Sequence, residues 1–382
     1  MNTNQTIKLI NSIKSNTLMK PQPITQPVFM LCTLALMLFM TGLTACSDLL
    51  SDNNKEQTIA RLLVINEGNW SEGDGSITAF DPESGETVQQ HFEKVNGRPL
   101  AGMIQSVTVS KGRLFIVANN ANKIEVADAE TLESIATIET GSDFTPAGFA
   151  LTDDGGKGYV SHLYDNAVFV VDMESYQITE NRIPAGRNPQ EMMIYNSRLY
   201  VLNNGFGEDH TITVIHTETD EVMEELEVGA GPAALHRDNE DRIWVVSSGF
   251  KAYDEDWNRD PDNDHHGRID VLSASGSGHI ATIETGGFPR ALALDESSAR
   301  AWIVNEGAVQ QIDMNTYGLL DDSLISRDFN GIGYSEVDGL FYLAHSRGFS
   351  QSGQAVIYDP EGTAVDSFAT GIAPRDFVFQ IE

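Results

Sequence analysis

Cysteine is almost missing from this chain. Of 382 residues only Cys32 and Cys46 are cysteines, the first inside an apolar run and the second at its end, so nothing downstream can pair with Cys46. A disulfide-stapled scaffold is thereby excluded. Basic charge is scarce too: 24 Lys and Arg face 56 Asp and Glu, a formal net charge of −32. A surface this acidic repels phosphate, and no basic patch offsets it, which argues against a nucleic-acid partner. The sequence lacks a Gly-x-Ser-x-Gly elbow, a His-Glu-x-x-His pair and a Gly-x-x-x-x-Gly-Lys-Ser/Thr loop, and beyond Cys46 it has no thiol. The chain is therefore read as a binding protein rather than an enzyme, with no cofactor required. What it has in quantity is apolar material, 41% hydrophobic residues, enough for one large or two ordinary globular domains.

From residue 61 onward that material is arranged as a repeat. Short strands rich in aromatic and β-branched residues recur seven times, as Leu62-Leu63-Val64-Ile65, Leu114-Phe115-Ile116-Val117, Gly158-Tyr159-Val160, Leu199-Tyr200-Val201-Leu202, Ile243-Trp244-Val245-Val246, Ala301-Trp302-Ile303-Val304 and Leu340-Phe341-Tyr342-Leu343. Most are followed by a second strand closing in an Asp turn, as at Asp81, Asp128, Asp172 and Asp359, because Asp bonds its own backbone there. A third, polar strand comes next, then a Gly-to-Pro segment such as Gly186-Arg187-Asn188-Pro189 or Gly371-Ile372-Ala373-Pro374. Four strands per unit at a period of about 48 residues, with no competing helical periodicity, predict an all-β, seven-bladed β-propeller of four-stranded blades. The repeat starts at a second strand and stops at a first strand, Asp376 to Ile381. The C-terminal strand is thus expected to pair with the N-terminal blade, which closes the ring and removes its open edges.

The amino-terminal segment has a separate character. Lys8, Lys14 and Lys20 precede an apolar run from Val28 to Leu43, which ends in Leu43-Thr44-Ala45-Cys46. The order of basic, apolar and small residues is that of a secretory signal, and the last four residues resemble the lipobox of bacterial lipoproteins. The resemblance implies a signal peptide over 1–45, lipid on Cys46 and a polar tether over 46–60 leading into a propeller over 61–382. Each buried acyl methylene contributes roughly 0.8 kcal/mol, so two or three chains would anchor the protein to a membrane. A non-lipidated transmembrane anchor is the alternative.

In a propeller the second-to-third-strand loops and the blade-to-blade segments emerge on one face. Here those loops are long in the first, fourth and seventh units and longest in the fifth, from Ser247 to Gly267. Long loops in a compact repeat bind something or are disordered, and a merely solvated loop has little use for large rings. These loops carry Trp70, Tyr164, Phe206, Tyr253, Trp257 and Phe349, with Asn66, Asn119, Asn203, His162, His265, His266 and His345 among them. The blade-to-blade segments add Phe288, Arg290 and Arg375. Aromatic platforms ringed by amide, imidazole and guanidinium groups suit a large amphipathic ligand. For any one aromatic, packing beneath its own loop is an equal reading.

The alternation of Asp260, Asp262 and Asp264 resembles the opening of a calcium loop. His265 stands where glycine is needed and Val271 where the bidentate Glu would be, so the match to that motif fails. A solvated acidic loop is the first reading and a Ca²⁺ site the second.

The order of strands resembles the YVTN-type propellers. The segment Leu63-Val64-Ile65-Asn66-Glu67-Gly68-Asn69, with its echo Ile303-Val304-Asn305-Glu306-Gly307, is similar to a subgroup of YVTN-type lipoproteins of Bacteroidota whose best-understood members bind cobalamin at the cell surface. That resemblance implies cobalamin or another corrinoid as ligand, a TonB-dependent transporter as partner, and residence on the outer membrane. A protein-interaction module is the main alternative, and a propeller lactonase or lyase a lesser one.

Overall fold

The structure is a computed structural model describing residues 57–274 and 278–382, so the expectations for the signal segment, for Cys46 and for the tether up to residue 56 lie outside the described residues. Seven four-stranded antiparallel sheets form the blades of a β-propeller. Blades 2 to 7 are each continuous in sequence, running over 104–139, 146–184, 189–227, 232–284, 291–325 and 331–372. Blade 1 joins the two ends of the domain: Pro374–Ile381 is its inner strand, followed outward by Ile59–Asn66, Ser76–Phe80 and Thr87–Val88. Leu63 pairs with Val378 and Val64 with Phe377 in that closure, as the phase of the repeat predicts.

Each second strand is sandwiched between neighbouring blades and is apolar throughout, which is why it reads as an unbroken run rather than an alternation. Leu62 to Ile65, Leu114 to Ala118 and Ala301 to Val304 are all essentially inaccessible. Rings lock adjacent blades together: Phe80 stacks on Phe368 at 3.9 Å, Phe115 on Phe149 at 4.4 Å, and Trp302 meets Phe341 edge-on at 4.1 Å. The third strand of five blades ends in the expected turn, where Asp81, Asp128, Asp172, Asp313 and Asp359 accept backbone N–H groups two to four residues ahead. The inner strands lie close around the channel. Ser106 donates its hydroxyl to the carbonyl of Ala147 in the next blade at 2.8 Å, and a Cβ on Gly148 or Gly331 would overlap the carbonyl of Gln190 or Arg375.

Two elements depart from the repeat. The outer strand of blade 1 is only Thr87–Val88, and a six-residue helix, His91–Asn96, follows it. Phe92 anchors that helix in the core, and Gly97 ends it at φ 67°, donating its N–H to Glu93. The blade 5 excursion is shorter than the sequence suggests. Its hairpin continues through the pairs Gly249–His266 and Phe250–His265, so the irregular part is 251–264.

Candidate functional site

The second-to-third-strand connections all leave the ring at the end where the inner strands begin. Six aromatic side chains are strongly exposed among the described residues, and all six stand in these connections: Trp70, Tyr164, Phe206, Tyr253, Trp257 and Phe349. Trp257 is 83% exposed and the other five between 50% and 63%. The remaining exposed large hydrophobic residues are aliphatic, and most, such as Ile135, Val222, Ile280, Leu319 and Val365, lie on outer strands. Tyr164 and Phe206 approach each other at 6.2 Å across blades 3 and 4, and Tyr253 and Trp257 at 6.3 Å within blade 5.

Backbone conformation adds weight to one of these residues. Phe206 sits at φ 54° between Gly205 and Gly207, and Trp257 at φ 63°. A bulky residue is strained there. Tyr176 and Tyr317 also have positive φ, but each occupies the fifth position of the recurrent Asp turn, where Gly85 stands in blade 1. Trp257 likewise completes an Asp turn, that of Asp254, in the place Gly362 holds in the Asp359 turn of blade 7, whereas Phe206 belongs to no such turn.

Neighbouring connections are tied together around the whole ring. The side-chain amide of Asn120 donates to Trp70 O, Asn119 to Pro146 O, Asn188 to Leu163 O, Asn204 to Pro232 O and Asn69 to Phe349 O, at 2.7–3.1 Å. Lys251 pairs with Glu306 at 2.6 Å between blades 5 and 6, and Asp328 accepts the Gly307 N–H between blades 6 and 7. The aromatic groups therefore sit on a cross-braced platform.

Several expected ligand donors are spent on the fold instead. Asn66, Asn119 and Asn203 are buried: Asn66 donates to Thr78 at 3.0 Å, Asn203 to Thr211 and Thr213 at 2.9 Å, and Asn119 bridges blades. Each is the polar end of an otherwise apolar stretch and must be satisfied internally. His162 is buried against Phe144, its Nε2 3.0 Å from Asp143 O. Phe288 is also buried, under the Lys251 ammonium at 4.8 Å and the edge of His266 at 5.6 Å. His265, exposed, stacks on Phe250 at 4.9 Å. His345 Nδ1 is 3.1 Å from Asp328 O, and Arg290 reaches Phe329 O at 3.4 Å.

In the acidic loop, Asp264 accepts both guanidinium N–H groups of Arg259 at 2.8 Å and the Ala252 N–H, which hold its carboxyl down to about 2. Asp260 accepts from Asn263, and Asp262 lies in the single 3₁₀ turn Pro261–Asn263. Among the described residues no three His, Cys, Asp or Glu side chains come together as a metal-holding group.

Sequence reasoning missed a second feature of this end of the ring. Glu191, Arg375 and Asp376 stand near the start of two inner strands, at the loop end of the channel, and the Arg375 charge acts on Glu67, Glu191 and Asp376. Burial pushes Glu191 up to about 7, with the Asp376 charge adding and Arg375 opposing. Burial likewise raises Asp376 and Glu67, again against Arg375. Asp376 is open to solvent although protein surrounds it, the position of a side chain in a channel. A signal was present: Glu191 and Asp376 each stand two residues after the proline that closes a Gly-to-Pro segment. At the far end His236, also in the channel, is pushed down to about 4 by its enclosure.

The opposite face carries a groove of about 730 Å³ beside Arg61, Val109 and Gln380. His91 borders it, and both of its ring nitrogens are closed off from solvent without a hydrogen-bond partner.

Residues 61–249 match the model of a family described as a domain of unknown function, DUF5074. No curated protein matches the chain. Among solved structures, a quinoprotein alcohol dehydrogenase-like protein from Bacteroides thetaiotaomicron is similar with a TM-score of 0.65 at 11% identity, over 84% of this chain and 78% of that one. A functionally unknown protein from Desulfotomaculum acetoxidans gives 0.59 at 10% identity, over 84% and 98%. A streptogramin B lyase gives 0.55 at 16% identity, over 75% and 95%. At these identities the likeness is one of fold.

Proposed function

We propose that this protein captures a large amphipathic ligand, cobalamin or another corrinoid, on the loop face of the propeller and passes it to a TonB-dependent outer-membrane transporter while held by lipid on Cys46. One observation carries the reading: every strongly exposed aromatic among the described residues stands on the loops of one face. Exposing six large rings costs solvation, and placing Phe206 on strained backbone outside any Asp turn costs more. Neither cost serves the fold. A ligand that covers the rings recovers part of it. A corrinoid has apolar faces for the rings and carries amides around its rim for the polar groups between them. The bracing of one loop against the next favours binding by a platform already in place, which lowers the ordering cost.

The test is calorimetric titration of the purified protein with cyanocobalamin and with cobinamide, alongside gel filtration of the mixture. Expected are saturable heat at one site and coloured ligand co-eluting with protein, with a Kd of about micromolar or tighter. Trp70→Ala or Trp257→Ala should each weaken that binding by about 1–3 kcal/mol. No heat and no retained colour would remove the corrinoid reading and leave the loop face to a protein partner.

A further inference from the structure

Four of the six exposed rings already cover one another in part. Tyr164 faces Phe206, Tyr253 faces Trp257, and the Arg259 guanidinium lies 5.3 Å from the centre of the Tyr253 ring. Trp70 and Phe349 differ. Among the described residues neither of their rings meets another ring or a cation, and the Trp70 indole N–H makes no hydrogen bond. They stand in the second-to-third-strand loops of blades 1 and 7, neighbours at the place where the ring closes.

The backbones beneath these two rings are pinned to each other and to blade 2. Asn69 Nδ2 donates to Phe349 O at 2.7 Å, and Asn120 Nδ2, from blade 2, donates to Trp70 O at 2.7 Å. Both amides are held at their other end. Asn69 Oδ1 accepts the N–H and the hydroxyl of Ser71 at 2.8 and 2.7 Å, and Asn120 Oδ1 accepts the Met103 N–H at 2.6 Å. Within the Phe349 loop, 346–351, only Ser346 and Gly348 bond each other, and among the described residues the Asn69 amide is the one hydrogen bond that reaches this loop from another blade. In both loops the pinned carbonyl belongs to the residue that bears the ring. A bond to an exposed loop carbonyl buries no apolar surface, but a ring on a fixed base loses less freedom when a ligand covers it.

We propose that Trp70 and Phe349 form one two-ring subsite for a flat conjugated face of the ligand, and that Asn69 and Asn120 are the positioning residues that set how the two rings are presented. Both rings are more than half exposed, at 56% and 55%, which leaves their faces available for stacking. The free indole N–H of Trp70 is a donor for an acceptor at the ligand's edge. The inference deepens the capture reading and rests on it in taking the flat face to belong to the captured molecule.

Two experiments separate the subsite from the capture. In the first, the Trp70 indole N–H signal, identified by its loss in Trp70→Phe, is followed by ¹H–¹⁵N NMR during addition of benzimidazole or cyclohexanol. Benzimidazole should move it saturably and further than cyclohexanol, with an affinity that falls about threefold or more in Phe349→Ala. No movement, an equal one with cyclohexanol, or an affinity that Phe349→Ala leaves intact overturns the subsite. In the second, cyanocobalamin affinity is measured in two double-substitution cycles. Asn69→Asp and Asn120→Asp keep the accepting oxygen and lose the donor. Each should lower affinity about threefold or more in the parent, yet Asn69→Asp should add nothing when Phe349 is replaced by Ala, nor Asn120→Asp when Trp70 is. A loss that persists without the ring is an effect of charge or fold and removes the positioning role, as does unchanged affinity in the parent. Cyanocobalamin that binds the parent but is indifferent to Trp70→Ala and Phe349→Ala removes the subsite and leaves capture standing. A protein whose Trp70 responds to benzimidazole through Phe349 but that binds no corrinoid keeps the subsite and loses that ligand, and the same cycles are then read with benzimidazole.

Discussion

The two faces of the ring are made from the same seven sheets and follow opposite rules. On the turn face the third and outer strands are joined the same way again and again. An Asp accepts the N–H groups ahead of it, as at Asp128 and Asp172, and a residue at positive φ completes the turn, whether Gly85, Leu132, Tyr176 or Tyr317. Those backbone N–H bonds hold the Asp128 and Asp172 carboxyls below the usual carboxylate range. On the loop face the connections range from two residues after Asn305 to fourteen over 251–264, and the strongly exposed rings collect there. Repetition marks what each blade needs in order to close. Divergence marks what closure does not require, and that is where function is to be sought.

The largest effect that could break this contrast comes from the closing strand. Removing residues 374–382 takes the inner strand from blade 1 and exposes the edge of Ile59–Asn66, whose partners include Val378 and Phe377. Because the inner strands also pack side by side, the loss reaches blades 2 and 7. The truncated protein should show no cooperative thermal transition by circular dichroism. Excising 252–263, a longer piece from the blade 5 loop, should leave the melting temperature within a few degrees. If the excision unfolds the protein as the truncation does, the loop face is part of the scaffold and the distinction between the faces fails.

How far the sequence reaches follows the same divide. Blade number and closure were legible because burial on both faces forces the second strands into unmistakable apolar runs. The exposed rings were legible as residues foreign to solvated loops. The helix His91–Asn96 was not, since six residues give less than two turns of periodicity. Nor was the fate of Asn66, Asn119 and Asn203. An amide at the end of an apolar strand looks the same in a string of letters whether it meets a ligand or a buried threonine. The grouping of Glu191 with Asp376 depends on bulges and on ring closure between distant blades, neither of which a local pattern encodes.

Substitutions within blade 4 sharpen the comparison at a middle scale, because Asn203 and Phe206 are three residues apart and belong to different tasks. Asn203→Ala leaves the Thr211 and Thr213 hydroxyls without their donor in a closed interior, and should cost roughly 1–3 kcal/mol of stability in a denaturant titration. Phe206→Gly should do the reverse. It relieves a strained φ at the price of a freer unfolded chain, for a net gain of about 1 kcal/mol or less, while weakening cyanocobalamin binding. Trp257→Gly should behave alike. Stability lost together with binding at Phe206 would make that ring a packing element rather than an anchor.

The smallest expected effect concerns the acidity of the channel mouth. A carboxyl raised in the folded protein binds its proton more tightly there than in the unfolded chain. The stability it contributes is therefore fully present below its ordinary value of 4.5 and is lost as pH rises through its folded value of about 7. His236, pushed down to about 4 at the other end of the channel, works in the opposite sense: its contribution is present above 6.5 and is lost as pH falls toward 4. Glu191→Gln removes the first slope and leaves the second. Between pH 5 and 7 its melting temperature should then rise relative to the parent as pH increases, whereas a parallel pair of curves would mean that water in the channel solvates Glu191 as bulk solvent does and that its charge is not confined.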